Sequence, residues 1–342
     1  MTEAPLMPGD ADADALLNLI NGFRISQAIY VVTALDIPDL LAGNARSSDE
    51  LAALTRCHQG ALYRVLRALA AVGVFTETEG EVFALTAVGA GLRKGADCSR
   101  HAWVKFGLAP AHWAAWGELL QGVRTGDTPF LHMHGQDVWK YRASHPAESA
   151  LFDQAMRERS ACFGRRLPSH YDFRQFTRIA DIGGGDGSLL ANLLPQCPAA
   201  TGLLLDQLHV VANAWRVFEE AGIGGRCEIL AGDFLRCVPA GADAYLLKHI
   251  LHDWDDAEAL AILRNCRDVM ERGAKLVVIE RMIAPPNEGT EGKLSDLNML
   301  VNAGGRERTQ NEFAALLHAA NFTATAFIPL PKSNHLIEAI PT

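Results

Sequence analysis

Five short apolar runs in the second half of the chain constrain the fold more than any other feature. From residue 176 onward they are RIADIGGG, TGLLLDQ, CEILAGDF, DAYLLKHI and KLVVIERM, with helical segments such as SLLANLLPQC and AEALAILRNCRDVM between them. Strands that alternate with helices form βαβ units, whose strands are parallel. The sequence therefore predicts an α/β fold, with a doubly wound, Rossmann-like domain over 176–342. The tail, ATAFIPLPKSNHLIEAIP, predicts two further strands at an antiparallel edge of this sheet.

The first 98 residues have a different, mainly helical pattern. Apolar residues recur at three- and four-residue spacing over LLNLINGFRISQAIYVVTALDIPDLLAG. Ser48 is expected to cap a helix, a second helix is expected over 59–72, and VFTETEGEVFALT predicts two strands around a Glu-Gly turn. Helix, helix, hairpin is the winged-helix order, so we expect a winged-helix domain over 1–98. Its second helix carries Arg64 and Arg67 but is otherwise apolar, which favours packing over DNA binding.

Residues 99–175 form a third segment, helical and rich in tryptophan and histidine. Its aromatic residues are most simply explained as core. A helical layer ahead of an α/β domain also commonly covers a ligand pocket, and Trp113 is the candidate pocket residue in this segment.

The composition argues against several classes of partner. The chain has 342 residues and a net charge of −9, which disfavours nucleic acid and anionic membranes because both require a basic surface. No apolar run approaches the roughly 20 residues of a membrane span, and the acidic N-terminus lacks the features of a signal peptide, so a cytoplasmic location is expected. The seven cysteines are scattered and never in C-x-x-C spacing, which predicts reduced thiols rather than disulfides or a zinc site.

A glycine loop follows the first strand of the α/β domain, in ADIGGGDGSLL. A dinucleotide fingerprint needs G-x-G-x-x-G, and from Gly183 its third glycine would fall on Ser188, so an NAD-dependent oxidoreductase is excluded. Asp206 ends the second strand, where a carboxylate accepts hydrogen bonds from ribose hydroxyls. The third strand ends in Gly-Asp-Phe, which places Asp233 and Phe234 beside the same crevice for an adenine amine and ring. These features predict an adenosyl ligand that is not a dinucleotide.

The segment LLKHILHDWDD (246–256) permits three interpretations. His249, His252 and Asp253 could bind a metal, but two histidines at a strand end need not share a face, and no further ligand cluster lies nearby in sequence. We therefore expect no metal site. Asp255 or Asp256 is well placed to cap the following helix. The third interpretation, a general base beside the cofactor, applies to His252.

The order ADIGGGDG, LLLD, AGDF, LLKHILHDWDD, VVIE and GGRERT closely resembles the class I S-adenosylmethionine-dependent methyltransferases. More narrowly, it is similar to the caffeic-acid-type O-methyltransferases of plants and their bacterial relatives in secondary metabolism. The resemblance covers nearly the whole chain, and it implies that the N-terminal winged-helix domain forms an intertwined homodimer. There are two departures: Gln207 and Leu208 stand where the family reads Leu-Pro, and Asp186 stands where relatives often have Thr.

The resemblance implies that His252 is the general base, which takes the proton from a substrate hydroxyl whose oxygen then attacks the sulfonium methyl. A phenol near pKa 10 facing a histidine near 6.5 makes this transfer uphill by about 3.5 units, roughly 5 kcal/mol. A positive sulfur nearby and a carboxylate partner for the imidazolium both reduce that cost. Glu280, at the end of KLVVIE, and Glu307, in GGRERT, match the acids that flank the base. For Glu307 a solvated surface charge remains the alternative.

Further positions follow from the same resemblance. Met156 and Ser160 lie four residues apart and hence on one helix face, although core packing is an equal alternative for Met156. The expected cofactor-binding residues are Asp181, Gly183, Gly185, Asp206, Gln207, Asp233, Phe234, Lys248, Trp254 and Ser160. The expected substrate-binding residues are Met156, Asp253, Asn298, Met299, Asn302 and Trp113.

The predicted function is S-adenosylmethionine-dependent methylation of a phenolic hydroxyl on a small aromatic intermediate of secondary metabolism. Two alternatives remain within the same fold, namely N- or C-methylation and a methyltransferase-like decarboxylase or hydroxylase. A non-catalytic winged-helix regulator that senses S-adenosylmethionine is a third, disfavoured by the acidic charge and the intact base. The sequence does not identify the acceptor.

Overall fold

The computed structural model describes residues 9–342 as two compact units, one ending at Pro110 and the other spanning Ala111–Thr342. This boundary falls inside the helical segment expected over 99–175. That residues 99–175 form a separate segment covering a ligand pocket stays a prediction. The helices of the first unit are α1 (Asp10–Ala34), α2 (Ile37–Leu40), α3 (Ser48–Thr55), α4 (Gln59–Ala71), α5 (Ala87–Ala90) and α6 (His101–Gly107). Its strands are β1 (Arg46–Ser47), β2 (Phe75–Thr78) and β3 (Val82–Leu85), in the order β1-β3-β2.

The winged-helix order of helix, helix and hairpin is present as α3, α4 and the antiparallel pair β2–β3. The cap of α3 is Ser47 rather than Ser48. The Ser47 hydroxyl accepts the Glu50 N–H at 3.2 Å, and the Glu50 carboxylate accepts the Ser47 N–H at 2.8 Å. These reciprocal bonds satisfy two backbone donors that the helix itself cannot. Leu51 and Leu66 then anchor the two helices in a core around Phe83.

Helix α1 leaves much of its apolar surface exposed. Leu19 is 79% exposed, and Leu16, Ile20 and Phe23 are also mostly exposed. Asp12–Ala34 is long and apolar enough to cross a membrane by length and composition, so the expectation that no run reaches that length is wrong. One helix of this kind near an N-terminus is weak evidence for a membrane span.

The second unit holds the large sheet and the helices that pack on it. Its helices are α7 (Pro110–Gly117), α8 (Leu119–Thr125), α9 (Pro129–His134), α10 (Val138–Ser144), α11 (Pro146–Arg166), α12 (Ser188–Leu193), α13 (Leu208–Val211), α14 (Ala214–Glu220), α15 (Asp256–Val269), α16 (Thr290–Asn302) and α17 (Gln310–Ala319). Its strands are β4 (Arg178–Ile182), β5 (Thr201–Asp206), β6 (Cys227–Ala231), β7 (Ala244–Lys248), β8 (Lys275–Arg281), β9 (Phe322–Pro329) and β10 (Asn334–Pro341).

The seven strands are ordered β6-β5-β4-β7-β8-β10-β9. Strands β4 to β8 pair in parallel, whereas β10 pairs antiparallel with both β8 and β9. This confirms the expected doubly wound sheet with an antiparallel edge. The strand order reverses beside β4, so the carboxyl ends of β4, β5 and β7 meet at one crevice, where ligands of such sheets bind.

Helices cover both faces of the sheet, and side chains alternate between these faces along each strand. On β7, Tyr245 and Leu247 face helices α15 and α17, whereas Ala244 and Leu246 face helices α12 and α14. A smaller cluster joins α7, α9 and α10 to α16 through Ala115, Phe130, Val138 and Val301. The helical layer expected before the α/β domain therefore packs on α16, next to the carboxyl edge.

The cysteines only partly follow the sequence prediction. Five are free thiols, namely Cys57, Cys197, Cys227, Cys237 and Cys266. Cys98 and Cys162 are disulfide-bonded, so the expectation of reduced thiols is wrong for these two.

Candidate active site

A tight change of direction after β7 brings two histidines together. His249 has φ 54°, in the left-handed region that histidine, asparagine and aspartate enter more readily than most residues. Its N–H still donates to the Ile279 carbonyl at 2.9 Å, so the turn begins directly at the end of the sheet. A 3₁₀ turn over Leu251–Asp253 follows, and the His249 and His252 ring centroids lie 5.2 Å apart.

Glu280, at the end of β8, supports this turn from below. It is fully buried, and its Oε1 accepts the N–H groups of Ile250 at 2.9 Å and Leu251 at 2.8 Å. The other oxygen, Oε2, lies 3.6 Å from Nδ1 of both His249 and His252. The structure therefore places Glu280 beside His252, where the sequence resemblance puts it.

Glu307 approaches the same ring from the loop after α16. Its Oε1 lies 3.0 Å from His252 Nδ1 and accepts the Ser295 hydroxyl at 2.6 Å. The Glu307 N–H donates to Asp296 Oδ1 at 2.9 Å, and Arg281 donates to Ser295 Oγ at 2.7 Å. Glu307 is buried, so it is not the solvated surface charge considered from the sequence.

Arg308 fastens the turn to this loop. Its guanidinium is 1% exposed and donates to the carbonyls of Leu251 at 2.9 Å and Trp254 at 3.1 Å. It also donates to Asp256 Oδ1 at 2.9 and 2.8 Å. The cap of α15 is instead Asp255, which accepts the Glu258 N–H at 2.8 Å. The capping interpretation thus holds for Asp255, while Asp256 pairs with Arg308.

The carboxylates set the charge state of His252. Burial by itself lowers the pKa of this imidazole, but Glu280, Glu307 and Asp253 outweigh burial and raise the pKa to about 9. Burial also raises the pKa of Glu280 to about 7. In the neutral form of the ring, a proton on Nδ1 that faces Glu307 leaves the Nε2 lone pair available. Nε2 lies 3.7 Å from Asp253 Oδ1.

The glycine loop sits at the carboxyl end of β4 and is closely packed. Gly183 has φ 70°, and a Cβ there would lie 2.5 Å from Ile250 Cδ1, so any other residue would strain the backbone and displace Ile250. The Gly185 N–H donates to Asp206 Oδ2 at 2.8 Å, and Asp206 Oδ1 accepts the Gln207 N–H at 2.7 Å. Burial raises the pKa of Asp206 to about 6. The second-strand acid therefore faces the loop, as the sequence predicts.

Asp181 lies beneath this loop with an unmet acceptor. The side chain is buried, and within the described part of the chain its Oδ2 has no hydrogen-bond partner. Burial raises the pKa of Asp181 to about 7, although the Lys248 charge opposes this. A buried carboxyl oxygen without a donor is costly, and a ligand that donates a proton or carries positive charge would satisfy it.

The remaining expected cofactor residues surround the crevice at varied depth. Lys248 Nζ donates to Ser160 Oγ at 3.2 Å, which links β7 to α11. The rings of Phe234 and Trp254 meet edge to face at 6.0 Å. Asp233 is about half exposed and accepts the Leu235 N–H at 3.0 Å. Gln207 is exposed at the start of α13.

The expected substrate residues of α16 contact a histidine that the sequence argument did not select. Asn302 Oδ1 lies 2.7 Å from His112 Nδ1, and Asn302 Nδ2 donates to Asn298 Oδ1 at 2.9 Å. Met299 is buried. Trp113 is 36% exposed, so the structure places its neighbour His112, rather than Trp113, against Asn302.

Sequence reasoning also missed an aromatic group beside Trp254. Trp139 stacks on Trp254 with ring centroids 5.9 Å apart at 14°. The Arg142 guanidinium lies 4.9 Å from the Trp139 ring centroid and 3.7 Å from that of Phe152. Trp139 and Arg142 are three residues apart and so share one helix face, a spacing that was visible in the sequence.

The fold and the crevice at its carboxyl edge define an S-adenosylmethionine-dependent methyltransferase. Residues 116–323 match the O-methyltransferase domain and residues 17–94 match the O-methyltransferase dimerisation domain. The chain therefore belongs to the O-methyltransferase family and is an S-adenosylmethionine-dependent O-methyltransferase.

Three relatives show the range of that family. The chain is 39% identical over 327 residues to the phenazine O-methyltransferase PhzM of Lysobacter antibioticus, covering 95% of each protein. It is 35% identical over 310 residues to an 8-amino-8-demethylriboflavin N,N-dimethyltransferase of Streptomyces davaonensis, covering 90% of this chain and 89% of that protein. The neocarzinostatin O-methyltransferase NcsB1, solved with S-adenosylhomocysteine and 1,4-dihydroxy-2-naphthoic acid, has a TM-score of 0.79 and 32% identity over 93% of this chain and 96% of that chain.

Proposed function

We propose that this enzyme methylates a phenolic hydroxyl of a small aromatic intermediate of secondary metabolism, with His252 as general base. The observation that carries the proposal is the buried His252 ring, whose Nδ1 lies 3.0 Å from the Glu307 carboxylate. That contact fixes the ring and directs the Nε2 lone pair away from the carboxylate pair. A buried imidazole held in this way is suited to accept a proton from a hydroxyl.

The residues of the crevice fit S-adenosylmethionine. Asp181 offers a buried, unmet oxygen for a cationic ammonium group, and Asp206 offers oxygens for ribose hydroxyls in addition to its two backbone donors. Asp233 and Phe234 would hold the adenine. When bound, the cofactor supplies an electrophilic methyl group on a positively charged sulfur.

The chain's own contribution to the chemistry is the proton transfer. With a pKa of about 9, His252 faces a phenol of pKa near 10 across a gap of about 1 unit, roughly 1.4 kcal/mol. An ordinary histidine would face about 3.5 units, roughly 5 kcal/mol. The carboxylates, net of the opposing effect of burial, therefore reduce the cost of the transfer by about 3 kcal/mol. The same charges keep the ring protonated near neutrality, so we expect the rate to rise with pH toward 9.

The acceptor class rests on the aromatic group and on a relative. Trp139, Trp254 and Phe152 form an aromatic group, in which Trp254 lies two residues after the base. NcsB1, with its dihydroxynaphthoic acid, supports a fused or substituted phenol as acceptor. The same proposal includes a homodimer, which the matched dimerisation domain and the exposed apolar face of α1 support. It also includes a cytoplasmic location.

A second candidate function is N-methylation, because one relative is an N,N-dimethyltransferase. An aromatic amine needs little help from a base once it is neutral, so dependence on His252 separates the two activities. A methyltransferase-like decarboxylase or hydroxylase is distinguished by product mass, since only methyl transfer adds one methylene unit.

The test compares wild type with His252→Gln on a library of phenols and anilines. We expect methylation of a phenol to fall by about 10²–10⁴-fold, the usual contribution of a positioned base. Calorimetry with S-adenosylhomocysteine should give unchanged affinity in the variant, which shows that the crevice is intact. Full activity of the variant on the best phenol would refute the base assignment. A clear preference for anilines would favour N-methylation.

A further inference from the structure

We propose that His249, His252 and Glu280 form a binding site for a divalent transition metal, best suited to Zn²⁺, and that an ion there blocks methyl transfer. The sequence argument set a metal aside because the two histidines need not share a face. The left-handed turn at His249 removes that objection, since it brings both rings to one side of Glu280.

The distances match a zinc coordination sphere. His249 Nδ1 and His252 Nδ1 each lie 3.6 Å from Glu280 Oε2, and the three ligand atoms all lie within 4.8 Å of one another. Zinc binds imidazole nitrogen and carboxylate oxygen at about 2.0–2.2 Å, so tetrahedral ligand atoms lie about 3.3–3.5 Å apart. The site needs only small side-chain shifts to bind an ion.

Two of the three ligand atoms are otherwise unsatisfied. His249 Nδ1 and Glu280 Oε2 are buried and have no hydrogen-bond partner within the described residues. A buried polar atom without a partner is destabilising, and an ion would satisfy both of these atoms.

A second cluster of potential ligands provides a contrast. Asp36, Asp39 and His101 also bring three ligand atoms within 4.8 Å of one another. There, however, Lys94 Nζ lies 2.7 Å from Asp36 Oδ2, and the Lys94 N–H donates to Asp39 Oδ1 at 3.0 Å. Lys94 therefore binds directly to that cluster, whereas Glu280 Oε2 lies 3.6 Å from Nδ1 of each imidazole.

Blocking follows from competition for one nitrogen. His252 Nδ1 cannot both donate to Glu307 and coordinate an ion, so binding would break the 3.0 Å contact that orients the base. The proposed inhibition rests on the proposed role of His252, whereas the proposed metal binding does not. Binding and inhibition therefore require separate measurements.

The experiment titrates metal-free enzyme with Zn²⁺ by calorimetry and with Co²⁺ by visible absorption, in the absence of substrate. Variant His249→Asn removes one ligand and keeps a residue that tolerates a left-handed backbone. His318→Asn is the matched control, because His318 is an exposed histidine on α17. Thermal unfolding and S-adenosylhomocysteine affinity verify that each variant is folded.

We expect wild type and His318→Asn to bind one Zn²⁺ with equal affinity and to show the intense absorption of four-coordinate Co²⁺. His249→Asn should bind Zn²⁺ at least tenfold more weakly and lose that absorption. Equal Zn²⁺ affinity in wild type and His249→Asn, or no binding to wild type, overturns the site.

Activity is then measured with and without Zn²⁺, relative to the metal-free rate of each protein. We expect inhibition of wild type and His318→Asn that EDTA reverses, and weaker inhibition of His249→Asn. Binding that depends on His249 without any inhibition would leave the metal site in place and overturn the role assigned to His252.

Discussion

Replacing Glu307 with glutamine tests whether this carboxylate acts on the base by charge. Glutamine keeps a carbonyl oxygen that can accept the Nδ1 proton of His252, as Glu307 Oε1 does at 3.0 Å, and that can accept the Ser295 hydroxyl. Only the negative charge is removed. An opposite charge at this distance shifts a pKa by about 1–3 units, and Glu280 and Asp253 remain. We expect the pKa of His252 to fall from about 9 by roughly 1–2 units.

The consequence is a change in the shape of the pH profile of kcat/KM. At high pH, where the ring is neutral in both enzymes, the weaker base should lower the plateau by about 3- to 10-fold if half of the proton has moved in the transition state. At lower pH the variant has more neutral ring, so its rate should exceed that of wild type. The two profiles should cross near about pH 8.

The assay is the rate of methyl transfer between pH 6 and 10, with an acceptor whose phenol titrates above this range. Glu291→Gln is the control, because Glu291 is an exposed acid at the start of α16. A profile for Glu307→Gln that is lower at every pH with the same inflection would refute the reasoning. Glu307 would then orient the ring without setting its pKa.

Three further predictions concern stability, cofactor affinity and assembly. Because the folded pKa of His252 is raised to about 9, its charge stabilises the fold below about pH 6.5 and this contribution is lost as pH rises through 9. The unfolding free energy of His252→Gln, measured in urea, should thus be lower than that of wild type by up to about 3 kcal/mol at pH 6, and the two values should converge at pH 9.5. A difference that stays constant with pH would contradict this prediction. Asp186 pairs with Arg157 and accepts the Ser188 N–H at 3.1 Å, so Asp186→Ala should weaken S-adenosylhomocysteine binding about 3- to 10-fold by calorimetry, and Arg157→Ala should add little to it. Leu19→Glu should convert a dimer to a monomer in sedimentation; a persistent dimer places the interface elsewhere.

Sequence patterns predicted the sheet well because alternating apolar runs and helices leave few possible topologies. They also predicted the winged-helix order, although the cap of α3 fell one residue away, on Ser47. The acids proposed to bind the cofactor were predicted from strand ends, which a parallel sheet brings to one edge. The pairing of His252 with Glu280 and Glu307 required the family resemblance, because neither propensity nor periodicity relates residues so far apart.

What the sequence could not give depends on backbone conformation and on packing between distant helices. The approach of His249 to His252 depends on one left-handed residue, which no periodicity reports. The contact of His112 with Asn302, in place of Trp113, depends on how α7 packs against α16. Helix and strand propensities predict neither the left-handed residue nor the packing of α7 against α16.

The two oxygens of Glu280 differ: one accepts hydrogen bonds from two backbone N–H groups, and the other lies 3.6 Å from Nδ1 of both histidines without a hydrogen bond. A related protein without methyltransferase activity could lack His252 or Glu307, but loss of Glu280 would destabilise the turn that shapes the crevice. An acid at this strand end is therefore a poor marker of activity when genomes are surveyed for related enzymes. Under the proposed function, the histidine and the second glutamate, whose side chains accept no backbone N–H of that turn, are the informative positions.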